Sequence, residues 1–291
     1  MLKKRVITAL CGLPILIAAV WFNRPLPWFT LLVAIWGVIA ALEFYRLVAA
    51  AKVPPLTYFG LVWTLLFILS GDATLRSMLE PYFDLNLIVP LLLTIAVVIP
   101  LIGLLLRPQK AEGFTSWAWT LAGLLYVGWL LSCLVALRGA EDGPNTDYGR
   151  NLVFFALFTT FASDTLAFFV GRAWGRRKLA PNISPAKTWE GAIAGVFGAM
   201  LIGLIFVPGH FFTWPNPLHL PSLSYWSAVL LGLFVSILGQ VGDLAESLFK
   251  RNMGVKDSSQ LIPGHGGLLD RMDSIVFAGV VVYFYVILLI R

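Results

Sequence analysis

Charge is scarce in this chain: Asp, Glu, Lys and Arg together make up 12% of its 291 residues, and the acids number only 15. A charged surface over a soluble core of this length is therefore excluded, and the mean hydropathy of +0.85 lies well outside the range of soluble globular proteins. Cysteine is nearly missing. The two present, Cys11 and Cys133, fall inside apolar blocks, which argues against a disulfide framework and leaves them as small packing residues. The sequence has no GxxxxGK[ST] phosphate loop, no dinucleotide-binding glycine fingerprint, no CxxC pair and no GxSxG elbow. The common soluble nucleotide, redox and hydrolase sites are thereby set aside. It also lacks internal repeats, low-complexity tracts and a soluble domain.

Long apolar runs are what the chain has instead. Between charged or Pro/Gly-rich breaks they fall near 6–22, 27–45, 57–71, 85–106, 116–137, 151–171, 191–209, 225–249 and 274–290, most of them close to the roughly 18–20 residues that cross the hydrocarbon of a bilayer. The expected fold is all-α, a polytopic integral membrane protein of about nine transmembrane helices. A single membrane domain is expected over 1–291, with N-terminal spans over about 1–150 and the chemistry-bearing portion over about 151–291. The third run is short, and the second and eighth carry acids near their ends, so eight or ten spans remain open. Met1 to Arg5 and the run behind it have a signal-like start without a convincing small-x-small cleavage site, and are read as a retained first helix.

The formal charge of +6 would suggest nucleic acid in a soluble protein. Its distribution explains it otherwise. With the N-terminus in the cytoplasm, sixteen cations lie inside: Lys3, Lys4, Arg5, Arg46, Lys52, Arg107, Lys110, Arg172, Arg176, Arg177, Lys178, Lys187, Lys250, Arg251, Lys256 and Arg271. Five lie outside: Arg24, Arg76, Arg138, Arg150 and Arg291. This positive-inside bias puts the C-terminus outside and predicts a bacterial-type inner (cytoplasmic) membrane protein. The external loop between Arg138 and Arg150 reads as merely solvated.

Two segments on the cytoplasmic side are dense in Gly, Ser, cations and carboxylates: GRAWGRRKLAPNISPAKTWEG from Gly171, and GDLAESLFKRNMGVKDSSQLIPGHGGLLDRMD from Gly242. Each follows a span that itself holds an acid, Asp164 or Asp243. Ionisable groups at membrane depth are costly, and so are usually paired, metal-bound or functional. At helical spacing Ser236, Gln240, Asp243, Ser247 and Lys250 fall near one face with Glu246 alongside, a polar stripe running toward the cytoplasm. Glu246 and Lys250 equally suit an ordinary i,i+4 pair on an emerging helix.

Asp243 sits deeper, and Asp257, Asp270 and Asp273 offer further oxygen donors. Mg²⁺ is held by one or two carboxylates together with substrate phosphates and water, so these acids among many cations suggest a metal-phosphate site. Pro263 to Gly267 is a glycine-rich turn suited to polyphosphate, and equally to a tight loop before the last helix. His265 within it fits a positioning hydrogen bond or an acid–base role. Ser184 before Pro185 predicts a helix start, with Ser184 as N-cap and Pro185 at the first helical position. The free N–H groups there, with Lys187 and Thr188 beside them, would take an anion such as phosphate. Arg176, Arg177 and Lys178 serve topology and anionic-lipid contact as readily. Gly171 and Gly175, and Gly191 and Gly195, have the small-xxx-small spacing of packed helices.

The run Ser247, Lys250, Arg251, Lys256, Asp257, Ser259, Pro263, His265, Gly266, Gly267, Asp270, Arg271, Asp273 resembles, position for position, the signature of the phosphatidate cytidylyltransferases, or CDP-diacylglycerol synthases. GDLAES and ISPAKTWEG are similar to further motifs of that family, while the first 150 residues match only as generic spans. The resemblance implies CMP transfer from CTP to phosphatidic acid with Mg²⁺, one ion or two, releasing pyrophosphate.

The residues implied for catalysis are Asp243, Asp270, Lys250, His265 and Arg271. Ser184, Lys187, Thr188, Arg251, Lys256, Gly266 and Gly267 are implied for substrate binding. Metal falls to Asp243 and Asp270 first, then Asp164 and Asp273. The expected partners are CTP, phosphatidic acid and membrane lipids, with a homodimer compatible and nucleic acid not expected. A CTP-dependent lipid or polyprenol kinase and an ion-coupled secondary transporter are the competing readings.

Overall fold

The computed structural model describes residues 2–22, 26–105, 113–141, 147–208, 216–261 and 266–289. Helix dominates, as the apolar runs predict. The chain packs as two compact units: Met1–Gly139 with Asn252–Arg271, and Ala140–Arg251 with Met272–Arg291.

In the first unit the helices are α1 (Leu2–Trp21), α2 (Trp28–Ala50), α3 (Thr57–Ser70), α4 (Ala73–Leu79), α5 (Ile88–Leu105), α6 (Gly113–Gly123) and α7 (Leu130–Arg138). A π-helical turn, Leu124–Trp129, joins α6 to α7, so Gly113–Arg138 runs as one long apolar element. Between α3 and α4 the chain bends by 87°. Asp72 makes the corner: its side chain caps α4 by accepting from Leu75 N at 2.9 Å, and it also accepts from Thr30 Oγ1 of α2 at 2.5 Å. Tyr45 of α2 is fully buried and donates its hydroxyl to Thr120 O of α6 at 3.0 Å, which satisfies the one polar atom on an otherwise apolar ring.

The second unit holds α8 (Tyr148–Trp174), a ribbon of β1 (Lys178–Ala180) and β2 (Ser184–Thr188), α9 (Trp189–Leu204), α10 (Tyr225–Asn252) and α11 (Asp273–Leu289). On α9 the small residues Gly191, Gly195, Gly198 and Ala199 are buried, while Trp189, Ile193, Phe197 and Leu201 are exposed. That is the reverse of a soluble helix and fits a helix whose outer face meets hydrocarbon. The buried face lies along α8. A Cβ at Gly191 would run into Ala167 O, so the small-residue spacing serves helix packing here, as the sequence suggests.

Two features depart from expectation. A short antiparallel ribbon, with Lys178 opposite Thr188 and Ala180 opposite Ser184, stands where a helix start is expected, within a fold that is otherwise helical as the sequence predicts. Arg150, expected in a solvated loop, is buried at the start of α8, where it meets Asp147 at 2.6 Å and Pro217 O at 3.0 Å. Its guanidinium and the neighbouring Asn151 amide tie down the backbone at Pro217 and His219.

Five described helices are long and apolar enough to cross a membrane, or six if the bent α3–α4 pair counts as one span. Helices α9 and α11, at 16 and 17 residues, are apolar but shorter. Helix α10 has 28 residues and at about 1.5 Å per residue exceeds a hydrocarbon slab of about 30 Å.

Candidate active site

The polar stripe expected on α10 forms. Ser236 meets Ser163 of α8, Oγ to Oγ, at 2.7 Å, and Gln240 donates to Ser236 Oγ at 3.0 Å and to Ala192 O of α9 at 3.2 Å. One and two turns further on, Asp243 Oδ2 lies 2.6 Å from Lys187 Nζ of β2, and Glu246 Oε2 lies 2.6 Å from Lys250 Nζ. The second pair has i,i+4 spacing but is no surface pair, because the Glu246 side chain is completely buried. Ser247 Oγ is 3.4 Å from Asp243 Oδ1. Asp273, at the start of α11, feels the negative charges of Asp243 and Asp164 and the positive charge of Lys250. Asp164, Lys187, Asp243, Lys250 and Asp273 thus share one electrostatic neighbourhood within the second unit.

The local start of α9 corrects one expectation. Ser184 is not an N-cap and Pro185 is not a first helical residue; both belong to strand β2. The cap is Thr188, in extended backbone, whose Oγ1 accepts from Gly191 N at 3.2 Å. A short ribbon tolerates Pro185, whose missing N–H matters little on so small a sheet, and pairing with Ala180 holds Ser184 in the strand. Glu190, in the first turn of α9, accepts from Arg176 N at 3.1 Å and Arg177 N at 3.2 Å. The ribbon therefore closes onto the helix start and delivers Lys187 to Asp243. Arg251 Nε reaches Ile183 O of the ribbon turn at 3.4 Å.

The first unit contains the other half of the signature. Asp270 lies buried in a 3₁₀ turn, Leu269–Arg271. Its Oδ2 accepts from Gly267 N at 2.8 Å and from Ser258 N at 3.0 Å, and Ser258 Oγ also lies 3.0 Å away, its one hydrogen within reach of both this oxygen and Glu43. Gly266 has φ +82°, and a Cβ there would crowd Asp270 Oδ2; the turn requires glycine for both reasons. Lys256, Asp257 and Arg271 are exposed. His265, with Pro263 and Gly264, lies outside the described residues.

One residue at this loop was not foreseen. Glu43, near the end of α2, is buried, and its carboxylate accepts four hydrogen bonds from the signature segment: Ser259 Oγ at 2.6 Å and Leu268 N at 3.1 Å on Oε1, Ser258 Oγ at 3.0 Å and Leu269 N at 2.9 Å on Oε2. The sequence carried a signal for it, an acid within an apolar run, but that acid is easily taken for the end of a span.

Among the described residues no three His, Cys, Asp or Glu side chains form a ready-made metal cage. The donors of the second unit still suit a hard divalent ion. The charges of Asp243 and Asp164 both act against the Asp273 carboxylate, and the Asp243 side chain is 31% exposed, with Oδ1 at 3.4 Å from Ser247 Oγ. Mg²⁺ is commonly held by few protein carboxylates, with substrate phosphates and water completing its shell.

The fold is that of a helical membrane protein; its second unit pairs carboxylates with lysines and its first holds a glycine-rich turn, each a feature used to handle phosphate groups. A model of the cytidylyltransferase family matches residues 3–289, and the chain belongs to that family. It is 34% identical over 285 residues to the phosphatidate cytidylyltransferase of Haemophilus influenzae, covering 96% of each chain. It is 32% identical over 315 residues to that of Synechocystis, covering 99% of this chain and 97% of the relative. It is 39% identical over 199 residues to that of Brucella abortus, where the match spans 67% of this chain and 65% of the relative's length.

Proposed function

We propose that this chain transfers CMP from CTP to phosphatidic acid, giving CDP-diacylglycerol and pyrophosphate for phospholipid synthesis. The observation that carries the reading is the family match over residues 3–289, which takes in both polar segments and is joined by relatives named phosphatidate cytidylyltransferase over nearly full length. A phosphate oxygen of phosphatidate attacks the α-phosphorus of CTP; the bond to the β-phosphate oxygen breaks, and pyrophosphate leaves with that electron pair. An anionic nucleophile must approach a polyanion, so the protein's work is neutralisation and alignment.

Lys187, Thr188, Lys250, Arg251, Lys256 and Arg271 supply donors to phosphate, Gly266 and Gly267 allow close backbone approach, and His265 orients a phosphate. Asp243 and Asp270 are the first ligands proposed for Mg²⁺, with Asp164 and Asp273 in support. The ion, when bound, lowers the charge on the reacting phosphates. In the second unit Lys187 is held by Asp243 at 2.6 Å, so its ammonium is already oriented before any phosphate arrives. The sidedness rests on the distribution of Lys and Arg: about nine spans in one membrane domain, N-terminus cytoplasmic, C-terminus outside, and the chemistry at the cytoplasmic face. There soluble CTP meets a lipid whose acyl chains stay in the bilayer.

The test gives the purified chain α-labelled CTP and phosphatidate with Mg²⁺. Label in the lipid product with release of pyrophosphate, both abolished by chelation, is the expected result. Release of CDP with no label in lipid would identify a kinase instead.

A further inference from the structure

We infer that Glu43 is the positioning residue that closes the signature loop and sets the carboxylate of Asp270, a role for the N-terminal unit in the chemistry. The inference rests on the reaction proposed above for its catalytic half and on geometry alone for its structural half.

Glu43 binds both ends of one segment. Ser258 and Ser259 stand at its beginning, Leu268 and Leu269 at its close, and all four donate to the two oxygens of the same carboxylate at 2.6 to 3.1 Å. Two of the donors are backbone N–H groups, one on each oxygen. A backbone N–H only donates, so both oxygens of residue 43 have to accept. Glutamate meets that condition and glutamine does not, because its amide would turn an NH₂ toward Leu268 N or Leu269 N. The glycine of the motif agrees: a Cβ at Gly267 would collide with Ser258 Oγ and Glu43 Oε2. Gly267 is thus required by the acid lying against it, and its own N–H donates to Asp270 Oδ2 at 2.8 Å. Glu43, Ser258, Gly267 and Asp270 form one continuous set of contacts within the first unit, in which Glu43 fixes the backbone that presents Asp270.

The experiment compares Glu43→Gln with the unaltered protein in two independent readouts. Hydrogen exchange of the peptide covering residues 258–269, in detergent without substrate, is expected to quicken at least tenfold. Turnover in the label-transfer assay is expected to fall at least tenfold in kcat, with the KM for phosphatidate changed less than twofold and more Mg²⁺ needed for half-maximal rate. Should Glu43→Gln not fold, Ser259→Ala removes a single donor and is expected to give the same pattern at a few-fold magnitude.

Unchanged exchange overturns the anchoring, and quickened exchange with full kcat overturns the positioning role. A loss confined to the KM for phosphatidate overturns it as well. If the unaltered protein transfers no label to lipid, the reaction reading fails by itself, and the exchange arm alone decides whether Glu43 holds the loop.

Discussion

The two units house their acids in opposite ways. In the first, serine hydroxyls and backbone N–H groups donate to Glu43 and Asp270, and these hydrogen bonds build a turn. In the second, Asp243 and Glu246 face the ammonium groups of Lys187 and Lys250. Hydrogen bonds from backbone are directional and fix a conformation, whereas an ammonium on a long flexible stem neutralises charge and can exchange partners. One unit has carboxylates that shape a loop; the other has carboxylates whose lysine partners are themselves suited to phosphate.

The comparison breaks most visibly at Asp243. Asp243→Asn should leave the fold in place and lower turnover by more than the roughly 100-fold that follows loss of an outer-shell partner, measured as label transferred from CTP to lipid. Full turnover in the folded variant would reduce Asp243 to a partner of Lys187 and remove it from the chemistry.

The next largest effect tests whether the lysine pairs are interchangeable with neutral groups. Lys250→Met removes the cation facing a carboxylate that is completely buried and should destabilise the protein by about 3–5 kcal/mol, read from unfolding in detergent. Adding Glu246→Gln should recover most of that loss. The first unit should respond to a different insult: Gly267→Ala pushes a methyl into Glu43 and Ser258 and should cost about 1–3 kcal/mol, as overpacking does, with a fall in turnover.

The smallest effect concerns the start of α9. Thr188→Ala should cost about 1 kcal/mol through the lost cap, while Ser184→Ala, within strand β2, should change helix stability by only a few tenths at most. Equal effects would return the cap to Ser184.

Much of this was legible in the sequence, and for identifiable reasons. Apolar runs report helices because hydrocarbon leaves the backbone no other way to satisfy itself, and the stripe from Ser236 to Lys250 follows from the 3.6-residue repeat alone. Sequence places the cap at Ser184 rather than Thr188 because Ser–Pro is a strong local signal. It was overridden by pairing between Ser184 and Ala180, a contact no local rule anticipates. Glu43 escaped for the same physical reason: its partners lie more than 200 residues away in sequence. Its apolar neighbours gave no hint that a turn of serines and glycines would dock there.

The hydroxyl of Ser258 lies 3.0 Å from Glu43 Oε2 and 3.0 Å from Asp270 Oδ2, yet it owns a single hydrogen. It can lean toward only one acid at a time, so the two side chains compete for the same proton. Loss of either carboxylate would therefore leave that hydrogen wholly to the other.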